Sequence, residues 1–207
     1  MNEPKNIQFG CGVSVAQRWA NYDASPTLRL SKVPLLGFLA KQKTNFPKDV
    51  LYGDITRRMP VENGQANRVY CSHVLEHLAL DDFYRALTEA RRMLREGGVF
   101  RGVMPDLEWE AQNYLANTES SAAHEFMKST HLGVKSRPKS VKQKVVSSFG
   151  NSAHLWLWDY KSLEQALCDA GFRNIRRARY GDSGDEVFNS VEDESRWTNA
   201  LGWHCQK

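Results

Sequence analysis

Glycines and carboxylates stand at the ends of several short apolar segments of this sequence. The turn Gly10-Cys11-Gly12 follows the apolar segment Ile7-Gln8-Phe9. Glycine lets backbone N–H groups approach a ligand closely, although Gly-x-Gly by itself is weakly specific. Asp23 and Asp54 end two later segments, where a carboxylate can accept hydrogen bonds from ribose hydroxyls or from an adenine amino group. This spacing favours a nucleotide-type site.

A second pattern lies in the middle of the chain. Residues His73-Val74-Leu75-Glu76-His77 match the H-x-x-E-H pattern of inverted zinc metallopeptidases. Two histidines four positions apart on a helix can share a metal, with the glutamate as general base. However, His73 directly follows a predicted strand, and the sequence identifies no further ligand. We therefore expect no bound metal, and we expect Glu76 and His77 to cap a helix start and to pack. Zinc-dependent hydrolysis stays open as an alternative.

Two further candidates for acid–base chemistry lie later in the chain. In an extended segment, His154, Trp156 and Trp158 lie on one side. Such a face either packs in the core or forms a wall against a substrate ring, because indole combines an apolar face with a donor. Asp106 ends the predicted fifth strand, where it is either a catalytic group or a cap.

The elements that position these residues alternate between strands and helices. The apolar stripe Leu80, Phe83, Leu87, Ala90 and Leu94 predicts an amphipathic helix that stops at Gly97-Gly98. This alternation predicts an α/β fold with a mostly parallel sheet and a site at the carboxyl ends of its early strands. Residues 107–158 do not follow this alternation of strands and helices, which predicts a helical insertion over that edge. Strands are predicted over 5–9, 20–22, 49–52, 68–72, 99–104, 173–180 and 200–205, and further helices over 15–19 and 161–170.

Composition limits the classes of function. A chain of 207 residues with 41% hydrophobic and 25% charged residues is typical of one globular domain, here 1–207. No apolar run approaches the roughly 20 residues of a membrane span, and residues 1–5 lack the apolar stretch of a secretory signal. Four cysteines without a CxxC pattern indicate reduced thiols and a cytoplasmic location.

Charge gives a weaker indication of partners. The net charge of +4 does not favour nucleic acid, and the sequence does not indicate an oligomeric state. Residues 126–158 nevertheless contain six basic residues before Trp158 and no acidic one. Such a segment is either a solvated surface or a site for an anionic substrate or partner.

The longest motif resembles the class I S-adenosylmethionine-dependent methyltransferases, particularly the methyltransferase type 11 group. It runs from Val69 through Ser72-His73-Val74-Leu75-Glu76-His77-Leu78 and a helix to Leu94-Arg95-Glu96-Gly97-Gly98-Val99 and Met104-Pro105-Asp106. The resemblance covers about residues 5–107 and 154–206. It implies a doubly wound, mostly parallel seven-stranded Rossmann-like sheet and S-adenosyl-L-methionine as cofactor. The resemblance does not extend to the acceptor; chain order and composition predict residues 107–158 as an insertion or lid on the substrate side.

The resemblance also implies roles for individual residues. Gly10 and Gly12, with Cys11 between them, would face the methionine part of the cofactor, and the amide of Gln8 stands where the family often has an acid. Asp23 would bind the ribose, and Asp54 with Ile55 the adenine. Ser72 and His73 would lie beside the sulfonium and the acceptor.

The spacing and the motif together predict a function. Only eleven positions separate Gly12 from Asp23, against roughly 20 in a dinucleotide fingerprint, which argues against NAD. We therefore expect methyl transfer to a small-molecule or glycan-type acceptor, with His73, His154 and Asp106 as candidate catalytic residues. A non-catalytic S-adenosylmethionine-binding module is the alternative.

Overall fold

Seven strands form one sheet in the computed structural model, which describes residues 5–31, 46–134, 136 and 153–207. The strands are β1 (Lys5–Phe9), β2 (Ala20–Asp23), β3 (Val50–Tyr52), β4 (Ala66–Ser72), β5 (Leu94–Pro105), β6 (Arg173–Ala178) and β7 (Ala200–Gln206). Their order is β3-β2-β1-β4-β5-β7-β6. The first five strands are parallel, and β7 is antiparallel to both of its neighbours. The predicted mostly parallel, Rossmann-like sheet is confirmed.

One face of the sheet is covered by two amphipathic helices, α2 (Leu80–Met93) and α5 (Tyr160–Asp169). Phe83 and Leu87 of α2 are fully buried, as is Leu167 of α5. Helix α2 has acidic residues in its first turn and basic residues in its last, which complements the helix dipole. It ends at Met93, before the predicted Gly97-Gly98 stop, because the chain enters β5 there and Leu94 pairs with Ala66 of β4.

The opposite face is covered by shorter elements around an aromatic cluster of Trp19, Tyr70 and Phe188. These elements are a 3₁₀ helix, Glu186–Ser190, and the one-turn helix α6, Glu194–Trp197. A helix over 15–19 was predicted here, and this prediction is wrong, because the segment forms turns.

The side chain of Asn21 explains these turns. Its Oδ1 accepts from the Ala16 N–H at 3.1 Å, and its amide donates to the carbonyls of Ala16 and Trp19. These contacts satisfy backbone groups that a helix would otherwise pair internally.

Three more helices follow β2 and β5 in the chain. Helix α1 is Pro26–Ser31, and after β5 the chain forms α3 (Leu107–Ala116) and α4 (Ala122–Ser129). These last two occupy the first part of the predicted insertion. Five of its six basic residues, those between 135 and 144, lie outside the described residues. Within the described ranges no helix has the length and apolar character needed to cross a membrane.

Candidate active site

The candidate cofactor residues follow four neighbouring parallel strands. Gly10 follows β1, Asp23 ends β2, Asp54 lies just beyond β3, and Ser72 ends β4. Parallel strands present their carboxyl ends at one edge of a sheet, and this edge is where ligands bind in open α/β folds. The topology therefore brings the sequence-predicted residues to one edge.

The two glycines of the first turn differ in the space that a side chain would find at each position. Gly10 has a φ of +65°, and a Cβ there would lie 2.3 Å from Cγ2 of Val74. Gly12 has a φ of +56°, and a Cβ there would meet no atom within 4 Å. Gly10 is thus required by packing, whereas Gly12 leaves open space at the strand end.

The carboxylate of Asp23 ties this turn to the next loop. Its Oδ2 accepts from the Gly12 N–H at 2.9 Å, and its Oδ1 accepts from the Ser25 N–H at 2.7 Å. Each oxygen keeps a second lone pair. Asp23 is therefore held in one orientation and can still accept from a ligand.

Asp54 and Ile55 form the corresponding corner after β3. Asp54 Oδ1 accepts from the backbone N–H and the hydroxyl of Thr56, at 3.0 and 2.7 Å. Ile55 is buried. This corner thus presents a fixed carboxylate beside an apolar side chain.

One buried polar atom at this edge, Oε1 of Gln8, has no hydrogen-bond partner within the described part of the chain. The hydroxyl of Ser72 contacts the hydroxyl of Tyr70. In the strand register Gln8 lies opposite Tyr70, two residues before Ser72, so the side chains of Gln8 and Ser72 belong to the same sheet face. Buried polar atoms are normally hydrogen-bonded, so the unpaired amide oxygen of Gln8 suits a polar ligand.

The thiol of Cys11 is buried between the two glycines. Burial, together with the charge of Asp23, raises the pKa of Cys11 to about 12. The side chain therefore stays a neutral thiol and does not add a charge to the turn.

His73 is held in place by three contacts. Its φ is +53°, its backbone N–H donates to the Val103 carbonyl at 2.8 Å, and its Nε2 lies 3.0 Å from the Arg196 carbonyl. Its Nδ1 lies 3.2 Å from Oε1 of Glu76, as an ion-pair contact. Burial alone lowers the pKa of His73, but Glu76 and the Arg196 carbonyl outweigh it and raise that pKa above its ordinary value. His73 is therefore biased toward the imidazolium form.

His154 lies in a group of ionisable side chains that the sequence does not place together. One ligand atom from each of Glu76, His77 and His154 lies within 4.8 Å of the others. The rings of His77 and His131 are each 4.9 Å from that of His154, between centroids. Burial lowers the pKa of His154, which favours its neutral form.

Both carboxylate oxygens of Asp106, the third candidate catalytic residue, contact other residues of the protein. Its Oδ1 accepts from the Glu108 N–H at 2.9 Å and caps α3, and its Oδ2 forms an ion pair with Arg177. The capping interpretation is therefore confirmed, and both oxygens of Asp106 already have protein partners.

The two tryptophans predicted on one side differ in environment. Trp158 is buried and stacks on Phe83 at 4.1 Å between ring centroids. Trp156 is 43% exposed. Only Trp156 is free to contact an acceptor.

Comparison with known proteins agrees with this arrangement. The family model described as a methyltransferase domain matches residues 7–101, the part of the chain that carries all four strand ends. Residues 7–101 are therefore similar to a methyltransferase domain, and the fold around them is shared with a solved methyltransferase. The match supports S-adenosylmethionine as cofactor. A search of curated proteins gives no match.

Solved methyltransferases share the fold at low sequence identity. A Haloferax volcanii methyltransferase, in complex with the Trm112 methyltransferase activator, aligns with a TM-score of 0.52 and 15% identity over 100% of this chain and 84% of that one. The YcgJ protein from Bacillus subtilis aligns with a TM-score of 0.51 and 13% identity over 99% and 92%. PigF, solved with SAH, aligns with a TM-score of 0.50 and 13% identity over 99% and 50%.

Sequence reasoning missed one feature of this site. We expected Glu76 to cap a helix start, and this expectation is wrong, because Glu76 lies in a 3₁₀ helix (Leu75–His77) whose cap uses no side chain. Its carboxylate is instead buried beside three histidines. The H-x-x-E-H pattern contained the signal for Glu76 and His77, but nothing in the sequence connected them to His154.

Proposed function

We propose that this chain transfers a methyl group from S-adenosylmethionine to a small-molecule or glycan-type acceptor, and that residues 1–207 act as one methyltransferase domain. One observation carries the proposal. An open glycine turn, two oriented carboxylates and the unpaired buried amide oxygen of Gln8 converge at one sheet edge. The basic residues between 128 and 144 support an anionic group on the acceptor.

The residues at the edge suit the polar groups of this cofactor. Bound S-adenosylmethionine supplies a methyl group on a sulfonium, which is already an effective leaving group. Oε1 of Gln8 would accept from its ammonium group, and the free lone pairs of Asp23 would accept from its ribose hydroxyls. Asp54 and Ile55 would bind the adenine. Gly12 admits the cofactor, and Ser72 and His73 would flank the reacting groups.

The protein's own contribution is to align the acceptor and to exclude water. We place the acceptor beneath residues 107–134 and 153–158, which follow β5 at the same edge. His154 and the exposed ring of Trp156 are its candidate contacts. This assignment rests on chain order and composition.

The cofactor assignment is tested by calorimetric titration with S-adenosylmethionine. Asp23→Ala should weaken binding by about 1.5–3 kcal/mol, the cost of charge-assisted hydrogen bonds. Asp49→Ala, an exposed carboxylate beside the start of β3, is the matched control. Thermal unfolding of both variants separates the loss of the turn from the loss of the ligand contact. Unchanged affinity in folded Asp23→Ala would show that the ribose assignment is wrong.

The acceptor assignment needs a transfer measurement. A radiolabelled-methyl screen over small phosphorylated and glycan acceptors identifies turnover. Trp156→Ala should then reduce transfer while cofactor affinity stays within about 1 kcal/mol, the pattern of lost acceptor positioning. Tight cofactor binding without transfer to any acceptor would favour the non-catalytic binding module.

A further inference from the structure

The carboxylate of Glu76 is the most unusual buried group among the described residues. Its side chain is 0% exposed, and His73 is the one described residue that contacts the carboxylate as a donor. A buried carboxylate is costly unless a positive charge or several donors compensate it. His73 offers one ion-pair contact at 3.2 Å to Oε1. Oε2 has no such contact among the described groups, so the site calls for a further positive charge.

His77 is oriented as metal-binding histidines usually are. Its Nδ1 lies 3.0 Å from the Ala153 carbonyl oxygen. A carbonyl can only accept, so Nδ1 must carry the proton, and Nε2 is left with its lone pair free. A hydrogen bond from the far ring nitrogen to a carbonyl is the common way in which proteins fix a metal-ligating imidazole.

His154 is brought to the same place by the backbone. The carbonyl of Glu76 accepts from the N–H groups of Leu155 and Trp156, at 2.7 and 3.2 Å, and the His154 N–H donates to the His131 carbonyl at 3.3 Å. These bonds fix the segment 153–156 against the 3₁₀ helix. The His154 ring contacts the backbone of Thr130, which leaves its other ring nitrogen available as a ligand.

We propose that Glu76, His77 and His154 bind one divalent cation of the zinc type. Two imidazole nitrogens and one carboxylate oxygen form a donor set typical of Zn²⁺ and its first-row neighbours. The cation would add a second positive charge at Oε2, the oxygen of Glu76 that His73 does not contact. Three protein ligands leave one position of a tetrahedral ion for an oxygen donor.

This set of ligands differs from the H-x-x-E-H expectation. His73 is not on a helix with His77, because it lies at the end of β4 with a left-handed backbone conformation. His154 takes its place, and Glu76 becomes a ligand rather than a general base. The expectation of no metal rested on a missing third ligand, and the fold supplies one. A coordinated His154 is a metal ligand rather than a base for proton transfer.

The experiment measures metal binding on untagged protein, independently of methyl transfer. The chelator-treated protein is titrated with Zn²⁺ against a competing chelator, and with Co²⁺, whose visible absorption reports tetrahedral coordination. We expect one equivalent to bind and to raise the unfolding temperature. Glu76→Gln and His154→Ala should each weaken binding at least about tenfold, because even outer partners of a metal site contribute about 10–100-fold.

His124→Ala is the matched control, because His124 is an exposed histidine of α4 outside this group. It should bind Zn²⁺ as the wild type does. Should Glu76→Gln fail to fold, His154→Ala decides alone, since His154 is only partly buried. The proposal is overturned if the wild type binds no Zn²⁺, or if binding persists in a folded His154→Ala variant. Neither result affects the cofactor titration that tests the proposed function.

Discussion

Two buried charged groups in this protein have opposite surroundings. Arg101 of β5 is fully buried, and its guanidinium contacts two carboxylates, a backbone carbonyl and an indole ring. It forms ion pairs with Glu192 and, at 2.8 Å, with Asp182, donates to the Arg179 carbonyl at 2.6 Å, and lies 4.6 Å from the ring of Trp197. Glu76 is equally buried, but only His73 contacts its carboxylate, at 3.2 Å from Oε1, and Oε2 has no contact among the described residues. The first group is satisfied by the fold, and the second requires something outside it.

This difference distinguishes a buried charge with a structural role from one that indicates a ligand site. A buried charge whose partners are all supplied by the chain stabilises one arrangement of the sheet and its covering loops. A buried charge with open oxygens lowers stability unless a ligand compensates it. Substitutions at the two groups should therefore change the unfolding free energy in opposite directions.

The largest effect is expected at Arg101. Arg101→Met removes the cation and leaves the buried carboxylate of Glu192 unpaired, which should lower the unfolding free energy by about 3–5 kcal/mol. Urea unfolding measures it. Arg85→Met, which breaks a pair with Asp82 at 2.8 Å on the surface, is the control and should change stability by less than about 1 kcal/mol. A loss at Arg101 as small as at Arg85 would mean that the Arg101 cluster is not stabilising.

A smaller effect of opposite sign is expected at Glu76. In the presence of a chelator at pH 8, Glu76→Gln removes a buried charge and weakens only the contact of Oε1 with His73, so stability should rise by no more than about 1 kcal/mol. The same change at Glu192 should cost about 1.5–3 kcal/mol, because it weakens a charge-assisted contact with Arg101. Chemical unfolding of both variants compares the two sites directly. Equal losses at the two glutamates would contradict the distinction drawn between them.

A further effect depends on pH and concerns the surroundings of Arg101. Burial, with the positive charges of Arg176 and Arg101, lowers the pKa of His204 from 6.5 to about 4. The folded state therefore favours neutral His204, and its contribution to stability is present above about pH 6.5 and is lost as the pH falls toward 4. His204→Gln should flatten this part of the stability profile.

Thermal unfolding from pH 7 to 4 measures the slope, with the exposed His124→Gln as control. A slope in His204→Gln as steep as in the wild type would show that other groups cause it. Asp182 contributes in a lower range. Burial alone raises its pKa, but hydrogen bonds from Arg176, Arg179 and Arg101 lower it, so its contribution is lost only at more acid pH.

The sequence predicted the sheet because its signals are local. β1, β4 and β5 each contain an apolar run that ends at glycine, serine or proline, and the predicted bounds of β1 coincide with those observed. The predicted helix over 15–19 failed because the amide of Asn21 replaces its hydrogen bonds, an interaction that composition does not reveal. Helix α2 ended early because pairing with β4 began at Leu94.

The site was predictable where it follows strand ends and unpredictable where distant segments meet. Asp23 and Asp54 occupy the corners that the motif indicated. The approach of His154 to Glu76 depends on backbone hydrogen bonds across about 80 positions, and the Arg101 cluster joins β5 to the segment 179–192. No spacing rule encodes such contacts, because they are decided by how loops cross the sheet.

The antiparallel strand β7 has a consequence for how this chain folds as it is synthesised. β7 lies between β5 and β6, so β5 has an unpaired edge until residues 200–206 have been made. β6 pairs with no strand other than β7 among the described residues, so it also waits for them. A nascent or truncated chain would present the open edge of a long, largely buried strand, which is a template for intermolecular pairing. The last strand is therefore the one that protects the folding intermediate from aggregation.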